Sequence, residues 1–255
     1  MLFRSNFKEG DLVQHGLGFR EYATSDGAGV RVLDPGDLPV TVYMHALGGT
    51  GFTAWGGLLV TGALKDGENV FVSAAAGAVG SVAIQIARIK GCYTIGSAGS
   101  EEKCNWLTGE LGADVAINYR EGVLRKALKA AAPNGIDVYF ENVGGDHLDA
   151  AMPRMNLGGR IPVCGMISAY NTPGARSTGV TTLSNMIYMR VRMEGFVVPD
   201  FEDQRAEFES DMKGWLASGE MRYRETIMNG IERAPDALIG LMSGENIGKM
   251  LVKLD

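Results

Sequence analysis

The sequence predicts an α/β protein built around a doubly wound parallel β-sheet. From Asn69 onward, short β-branched or apolar runs alternate with longer stretches of helical period, which is the pattern of strand-helix-strand units. The 36 glycines among 255 residues supply the strand-to-helix turns that such a fold needs. Apolar residues make up 45% of the chain and charged residues 21%, so a substantial core is expected.

Six runs are expected to form the strands of this sheet: Asn69–Ser73, Cys92–Gly96, Val115–Asn118, Asp137–Glu141, Arg160–Cys164 and Glu194–Val198. Five helical stretches would connect them: Val79–Lys90, Glu101–Leu111, Gly122–Ala131, Asp146–Met155 and Leu183–Arg190. Parallel strands need crossovers of this length, so the elements fit one continuous sheet.

Both ends of the chain break this alternation. Glycines and one Pro-Gly pair punctuate short strand-like runs in the first 45 residues, as in a small β-rich unit. The chain finishes with four further elements: a helix at Glu202–Ala217, a strand at Tyr223–Met228, a helix at Ala234–Met242 and a strand at Lys249–Leu254. We therefore expect residues 46–218 to form the parallel-sheet domain, and residues 1–45 and 219–255 to form a second domain together.

Composition excludes several classes of function. The formal net charge is −6 and the basic residues are scattered, so no surface is suited to nucleic acid. The three cysteines form no CxxC pair, which argues against a disulfide framework or a zinc knuckle and favours the cytoplasm. The first ten residues lack the apolar core of a signal peptide, and no stretch of about 20 apolar residues predicts a membrane span.

The segment from Asn69 to Ala87 reads as strand, small-residue turn and helix. Small residues at Ala76, Gly77 and Ala78 let the backbone approach a pyrophosphate, and the helix amino terminus stabilises its charge. Gly80 permits close packing of helix on strand. The turn follows AxxGxxG, which an ordinary tight turn also uses, but its strand-before and helix-after context favours a dinucleotide-binding Rossmann fold.

The end of the second strand indicates which dinucleotide is bound. NAD-binding folds carry an acidic residue there, about 20 residues after the loop, whereas this chain has Ser97–Ser100 with no acid. Hydroxyl groups, including that of Ser100, and Lys103 one turn later would accept a 2′-phosphate. Glu101 and Glu102 lie close by, where they favour the helix dipole, and Lys103 has the alternative of being an ordinary solvated lysine. The sequence thus predicts NADP(H).

Several ordered blocks resemble the zinc-independent medium-chain dehydrogenase/reductases, and among them the NADPH-dependent curcumin, prostaglandin and 2-alkenal reductases. These blocks cover residues 75–80, 98–103, 117–119, 138–145, 160–171 and 244–249. The resemblance runs from about Phe7 to the end of the chain. In that family a GroES-like domain precedes the segment that begins at Phe7, and Met1–Ser5 match nothing familiar. The resemblance therefore implies an amino-terminally truncated reductase in which both chain ends are remnants of a GroES-like domain.

The resemblance also implies roles for particular residues. The pyrophosphate would be held by Gly77, Ala78, Val79 and Gly80. The 2′-phosphate would contact Lys103 and Tyr119, and Asn142 would lie near a ribose. The nicotinamide end would be lined by Cys164, Gly165, Ser168, Tyr170, Phe196, Val197, Val198 and Asn246. Independently of the resemblance, Asn142, Cys164 and Phe196 lie at or just beyond the carboxyl ends of predicted strands, where open parallel sheets bind ligands.

No metal site is predicted. Related alcohol dehydrogenases carry a four-cysteine zinc lobe soon after the Gly-Asp-x-Val turn, whereas residues 14–23 contain no cysteine here. The histidines His15, His45 and His147 lack the spacing of metal ligands, so each is expected to be a surface or packing residue.

The chemistry expected without a metal is hydride transfer from NADPH to the β-carbon of a small enone or enal. Tyr170 is the candidate donor to the resulting enolate oxygen, because a phenol remains protonated at neutral pH, although it has the alternative of packing over the cofactor. Quinone reduction and a non-catalytic NADP-binding fragment remain open. The loop Asn171–Thr182 would shape the substrate pocket. By analogy with related folds, the region Leu183–Val198 is expected to support a homodimer through sheet extension.

Overall fold

The computed structural model describes residues 6–170 and 179–254. Residues 1–5 and 171–178, and with them most of the predicted pocket-shaping loop, lie outside the described residues. The described elements, in chain order, are β1 (Val13–Gln14), β2 (Arg31–Val32), α1 (Gly49–Trp55), β3 (Asn69–Val72), α2 (Gly80–Ile89), β4 (Tyr93–Ala98), α3 (Glu101–Gly109), β5 (Val115–Asn118), α4 (Leu124–Ala131), β6 (Ile136–Phe140), α5 (Gly145–Ala151), β7 (Met155–Val163), α6 (Asn185–Met189), β8 (Arg192–Gly195), α7 (Arg205–Ser218), β9 (Glu225–Asn229), α8 (Ala234–Ser243) and β10 (Lys249–Lys253).

Six strands form one sheet in the order β5-β4-β3-β6-β7-β8, and every neighbouring pair is parallel. The chain runs outward from β3 in one direction and then returns to start again at β6. The strand order therefore reverses between β3 and β6, which is the position where open α/β sheets bind ligands beyond the carboxyl ends of their strands. The predicted doubly wound parallel sheet is confirmed.

Two apolar layers cover the two faces of the sheet. On β3, Val70 and Val72 point into the layer that contains α1, α2, α3 and α7, whereas Phe71 points into the layer that contains α4 and α5. Phe71 stacks on Tyr139 of β6 with ring centroids 4.8 Å apart. Strands buried on both faces read as continuous apolar runs, which is why the sequence identified β3 and β6 correctly.

One helical region was not predicted. It consists of α1 and a π-helix at Gly56–Thr61 that continues it. Glycines obscure the helical period there, but packing requires them. A Cβ at Gly51 would overlap the carbonyl oxygen of Ala46, and one at Gly56 would overlap the ring of Phe201. Close packing against the core thus outweighs the low helix propensity of glycine.

Several predicted bounds shift. β7 begins at Met155 rather than Arg160, because residues 155–159 pair beside a register irregularity of β6. β8 spans Arg192–Gly195 instead of Glu194–Val198, and a short 3-10 helix at Val198–Gln204 follows it.

The two chain ends form separate two-stranded sheets. β1 and β2 pair antiparallel over two residues each, so the described part of residues 1–45 contains less strand than its glycine pattern predicts. Most of its side chains are exposed, and few are available to bury a strand face. β9 and β10 pair parallel and lie against the turn that follows β3. No helix among residues 6–170 and 179–254 has the length and apolar character needed to cross a membrane.

Candidate active site

A cleft of about 1110 Å³ opens at the carboxyl ends of the parallel strands. The turn after β3 forms its floor, and the loops after β4 to β7 form its walls. The carboxyl end of α8 closes one side through residues 241–244. The cleft therefore lies over the reversal of strand order, where the sequence predicts cofactor binding.

The turn after β3 has the geometry of an anion-binding loop. It starts at Ala74, whose φ of 48° is in the left-handed region, and Gly77 N–H donates to the Ala74 carbonyl at 3.0 Å. A Cβ at Gly80 would overlap that carbonyl and lie 2.8 Å from the Cα of Ala75. Val79 is the N-cap of α2 and its apolar side chain cannot cap the helix. No side chain therefore caps this helix end, whose partial positive charge is suited to a pyrophosphate.

The carboxyl-terminal segment supports the turn from outside. Gly248 N–H donates to the carbonyl of Ala76 at 2.9 Å, and a Cβ at Gly248 would overlap the carbonyl oxygen of Arg224. Asn246 lines the cleft and donates from Nδ2 to the Gly248 carbonyl at 2.7 Å. Asn246 therefore also holds the shape of the segment that contacts the turn.

His45 also supports the turn, beside Tyr223. Its Nε2 lies 3.0 Å from the Ala78 carbonyl, and since a carbonyl only accepts, Nε2 carries the proton. Burial lowers the pKa of His45 to about 4, with a further lowering by Lys249. The ring is therefore a neutral donor at physiological pH, and His45 is a packing residue of the cleft floor.

Positive charge collects beyond the ends of β4 and β5. Lys103 Nζ donates to the Gly244 carbonyl at 2.6 Å, and burial, followed by the charge of Arg120, lowers the pKa of Lys103. The Arg120 guanidinium lies 6.0 Å from the ring centroid of Tyr119. A Cβ at Gly99 would lie 3.0 Å from the Tyr119 hydroxyl, so glycine keeps this wall close. Two neighbouring cations beside a phenol are suited to a phosphate group.

The opposite end of the cleft is less charged. Ser168 Oγ donates to the Val143 carbonyl at 2.5 Å, and the Tyr170 hydroxyl accepts from Met166 N–H at 3.4 Å. The Tyr170 proton therefore remains available, and the side chain is 60% exposed. Burial, and then the carboxylate of Glu141, raise the pKa of Cys164 to about 12, so this thiol stays protonated.

Most of the predicted site residues line this single cleft. They are Gly77, Ala78, Val79, Gly80, Lys103, Tyr119, Asn142, Cys164, Gly165, Ser168, Tyr170 and Asn246.

Four predicted site residues lie elsewhere. Ser100 is the N-cap of α3 and accepts a hydrogen bond from Lys103 N–H at 3.3 Å. Phe196 packs between the rings of Phe140 and Phe201 in the core. Val198 packs on the same layer, and Val197 faces solvent. The positions of Phe196, Val197 and Val198 differ from the prediction because β8 ends at Gly195, and the 3-10 helix at Val198–Gln204 follows it along the core instead of the cleft.

Several side chains of the cleft were not assigned to it from the sequence, among them Arg120, Arg125 and His147. Arg120 and Arg125 follow β5, and His147 is in α5. The rule that carboxyl ends of parallel strands share one edge would have identified Arg120, two residues after β5. His147 lies edge-on to Tyr119, with Nε2 3.1 Å from Ser97 Oγ, and burial lowers its pKa to about 4. His147 thus supports Tyr119 as a neutral ring. Within the two described ranges, no His, Cys, Asp and Glu side chains are grouped as a metal site would require.

Comparisons with known proteins agree with this geometry. Residues 78–216 match the family model described as zinc-binding dehydrogenase. The chain is 45% identical over 249 residues to the NADP(+)-dependent 2-alkenal reductase of Nicotiana tabacum, which covers 96% of this chain and 72% of the relative. It is 43% identical over 254 residues to prostaglandin reductase 1 of Rattus norvegicus, which covers 98% of this chain and 77% of the relative.

A solved structure extends the comparison to three dimensions. CurA of Vibrio vulnificus, crystallised in complex with NADPH, aligns with a TM-score of 0.85 at 42% identity, over 94% of this chain and 72% of that chain. The matched family model spans more than half of the chain, and these relatives are matched over more than two thirds of their length. The chain belongs to the medium-chain dehydrogenase/reductase family, in the group of the curcumin, prostaglandin and 2-alkenal reductases.

Proposed function

We propose that the chain is an NADPH-dependent reductase of the carbon-carbon double bond of α,β-unsaturated ketones and aldehydes. One observation carries the cofactor assignment: Lys103 and Arg120 lie together at the wall of the cleft where an NAD-binding fold would have a carboxylate. The NADP dependence of the 2-alkenal reductase and the NADPH complex of CurA support the same assignment.

Each part of the cleft has a proposed role. Gly77, Ala78, Val79 and Gly80 would hold the pyrophosphate at the amino terminus of α2. Lys103, Arg120 and Tyr119 would bind the 2′-phosphate. Asn142 would contact a ribose hydroxyl, and Cys164, Gly165, Ser168 and Asn246 would border the nicotinamide.

When bound, NADPH would supply the hydride that reduces the β-carbon of the substrate. The chain must then stabilise negative charge on the substrate oxygen. Tyr170 is the proposed donor, because its hydroxyl accepts from Met166 N–H and keeps its own proton for the oxygen. The protonated thiol of Cys164 does not compete as a nucleophile for the electrophilic substrate.

Three further assignments belong to this proposal. The reaction needs no zinc, because the oxyanion is stabilised by a hydrogen-bond donor. Residues 1–45 and 219–255 belong to a second, GroES-like domain beside the NADP-binding domain at residues 46–218. The enzyme works in the cytoplasm as a homodimer.

Calorimetric titration of the chain with NADPH and NADH tests the cofactor, and NADPH consumption with an enone, an enal and a quinone tests the reaction. We expect NADPH to bind at least about tenfold more tightly, since one charge-assisted phosphate contact contributes more than 1 kcal/mol. We expect turnover with the enone and the enal. Equal affinity for the two nucleotides overturns the cofactor assignment. Turnover with the quinone alone assigns quinone reduction, and binding without turnover assigns a non-catalytic NADP-binding protein.

A further inference from the structure

We propose that Ser73 and Glu141 are positioning residues that lock the two central loops of the cleft together and thereby set the affinity for the cofactor. The proposal deepens the proposed function and rests on it. Ser73 directly follows β3 and Glu141 directly follows β6, so the pair lies at the reversal of strand order.

Three hydrogen bonds connect the two loops, and a fourth lies within the loop that follows β6. We call their residues Ser73, Glu141, Asn142 and Val143 the switch-point clamp. Ser73 Oγ donates to Glu141 Oε1 at 3.0 Å and accepts from Asn142 N–H at 2.9 Å. Val143 N–H donates to the same Glu141 oxygen at 2.6 Å. Asn142 Nδ2 donates to the Ser73 carbonyl at 2.7 Å.

The clamp positions residues that line the cofactor cleft. Ser73 immediately precedes Ala74, the left-handed first residue of the pyrophosphate turn. Asn142 and Val143 line the cleft on the other side of the reversal point. Because Asn142 Nδ2 donates to the Ser73 carbonyl, the amide group is held in one orientation. Its side-chain oxygen is then directed to accept a hydrogen bond from a ribose hydroxyl. Breaking the clamp would release both the turn and this amide.

A packing role does not account for Glu141. Its side chain is fully buried, and its Oε2 has no hydrogen-bond partner among the described residues. Beside it lies the buried phenol of Tyr139, which interacts with the Glu141 and Ser73 side chains and whose ring stacks on Phe71. An apolar residue would fill this space at a lower desolvation cost than a carboxylate. The carboxylate provides one oxygen that accepts both the Ser73 hydroxyl and the Val143 amide.

The chain contains a matched control at the opposite edge of the sheet. Thr94 Oγ1 donates to Asp114 Oδ2 at 2.9 Å, and Thr94 N–H donates to the same oxygen at 2.7 Å. Asp114 N–H in turn donates to Thr94 Oγ1 at 3.2 Å. This pair also has a hydroxyl-carboxylate hydrogen bond with a backbone N–H donor on each oxygen, but its carboxylate is exposed. It joins the amino ends of β4 and β5, away from the cleft.

The test compares Ser73→Ala, Glu141→Ala and Glu141→Gln with Thr94→Ala and Asp114→Ala. Nucleotide titration gives the dissociation constants, and thermal unfolding gives the melting temperature of each variant. Losing a clamp hydrogen bond should weaken NADPH and NADH equally, by about tenfold, because the clamp does not touch the 2′-phosphate. Glu141→Gln should restore affinity to within about threefold, since its amide oxygen accepts the same two donors. The control variants should lower the melting temperature and leave both dissociation constants unchanged.

A second measurement does not depend on the cofactor. Amide hydrogen exchange in the free protein should be faster at Asn142 and Val143 in Glu141→Ala and Ser73→Ala, but not in Asp114→Ala. Unchanged nucleotide affinity in Ser73→Ala and Glu141→Ala overturns the positioning role. A wild-type chain that binds neither nucleotide overturns the proposed function, and in that case unchanged exchange at these two amides would show separately that the loops are not coupled.

Discussion

Lys103 Nζ donates to the carbonyl oxygen of Gly244 at 2.6 Å and so joins the first turn of α3 to the carboxyl-terminal cap of α8. Carbonyl groups at a helix carboxyl terminus carry partial negative charge, which favours a cation beside them. One of the three ammonium donors is used in this bond, and the other donors remain for a ligand in the cleft. The lysine is therefore held in place before the cofactor binds.

Replacing the basic residues should change nucleotide preference. Lys103→Gln and Arg120→Gln should each weaken NADPH binding about tenfold and leave NADH binding within about twofold, because only NADPH carries the 2′-phosphate. Isothermal titration measures both nucleotides, with Lys213→Gln on the exposed face of α7 as the control. An equal loss for NADH would mean that these side chains support the fold rather than the phosphate.

Gly80→Ala should weaken both the fold and cofactor binding. The new Cβ would overlap the Ala74 carbonyl, a backbone atom that cannot move away freely, so we expect a loss of roughly 1–3 kcal/mol in the free energy of unfolding. Gly214→Ala in the interior of α7 has open space around it and should stabilise by about 0.5–1 kcal/mol. Urea denaturation of both variants measures the two free energies of unfolding. An unchanged or higher stability of Gly80→Ala would contradict the packing described at Gly80.

Stability should fall as pH drops from about 6.5 to about 4. Burial lowers the pKa of His45 and of His147 to about 4, whereas both titrate near 6.5 in the unfolded chain. Between these two pKa values the unfolded state binds more protons than the folded state, so acid favours unfolding. The free energy of unfolding should be lower at pH 5 than at pH 7 by on the order of 2 kcal/mol per histidine. Urea denaturation at pH 7, 6 and 5 measures the slope. His147→Gln should reduce the change of unfolding free energy with pH, whereas His15→Gln at an exposed site should not. An unaltered pH dependence in His147→Gln would show that His147 is not a source of it.

Tyr170→Phe should slow enone reduction and leave NADPH affinity unchanged. Removing one donor to a developing oxyanion lowers kcat by about 100-fold in other enzymes. Stopped-flow measurement of NADPH oxidation with the enone reports this step, and Tyr188→Phe on the exposed face of α6 is the matched control. Wild-type turnover in Tyr170→Phe would exclude its hydroxyl from the reaction.

The outer edge of β8 should mediate self-association. β8 is the last strand of the sheet, and Ile187 and Tyr188 beside it are 77% and 74% exposed. Exposed edges with apolar neighbours favour pairing with a second strand. Sedimentation velocity should show a dimer that Ile187→Lys weakens and Leu238→Lys on α8 does not. A monomer at all concentrations would contradict the proposed homodimer.

The central sheet was predictable because its signal is local. Each strand is a short apolar run between glycine turns, so β3 and β5 were located almost to the residue. The glycine-containing turn between β3 and α2 was expected from the same reasoning. The helical region from Gly49 to Thr61 was missed because its glycines are explained only by neighbours distant in sequence, such as Phe201.

Site residues were predictable where the end of a single strand determines their position. They were not predictable where contacts between several distant segments determine it. Lys103 lies in the first turn of the helix after β4, Asn142 lies two residues after β6, and both line the cleft. Phe196 was assigned to the cleft because β8 was placed too far along the chain. Glu141 was seen only as part of a strand end, since its partner Ser73 is 68 residues away and only the sheet order brings the two together.

The contact of Gly248 with Ala76 has a consequence for how defects in this protein should be interpreted. The last few residues are remote in the chain from the nucleotide loop, yet they share a hydrogen bond with it. A frameshift, a carboxyl-terminal fusion or a missense change near residue 248 would therefore weaken coenzyme binding, even though it alters no residue of the turn between β3 and α2.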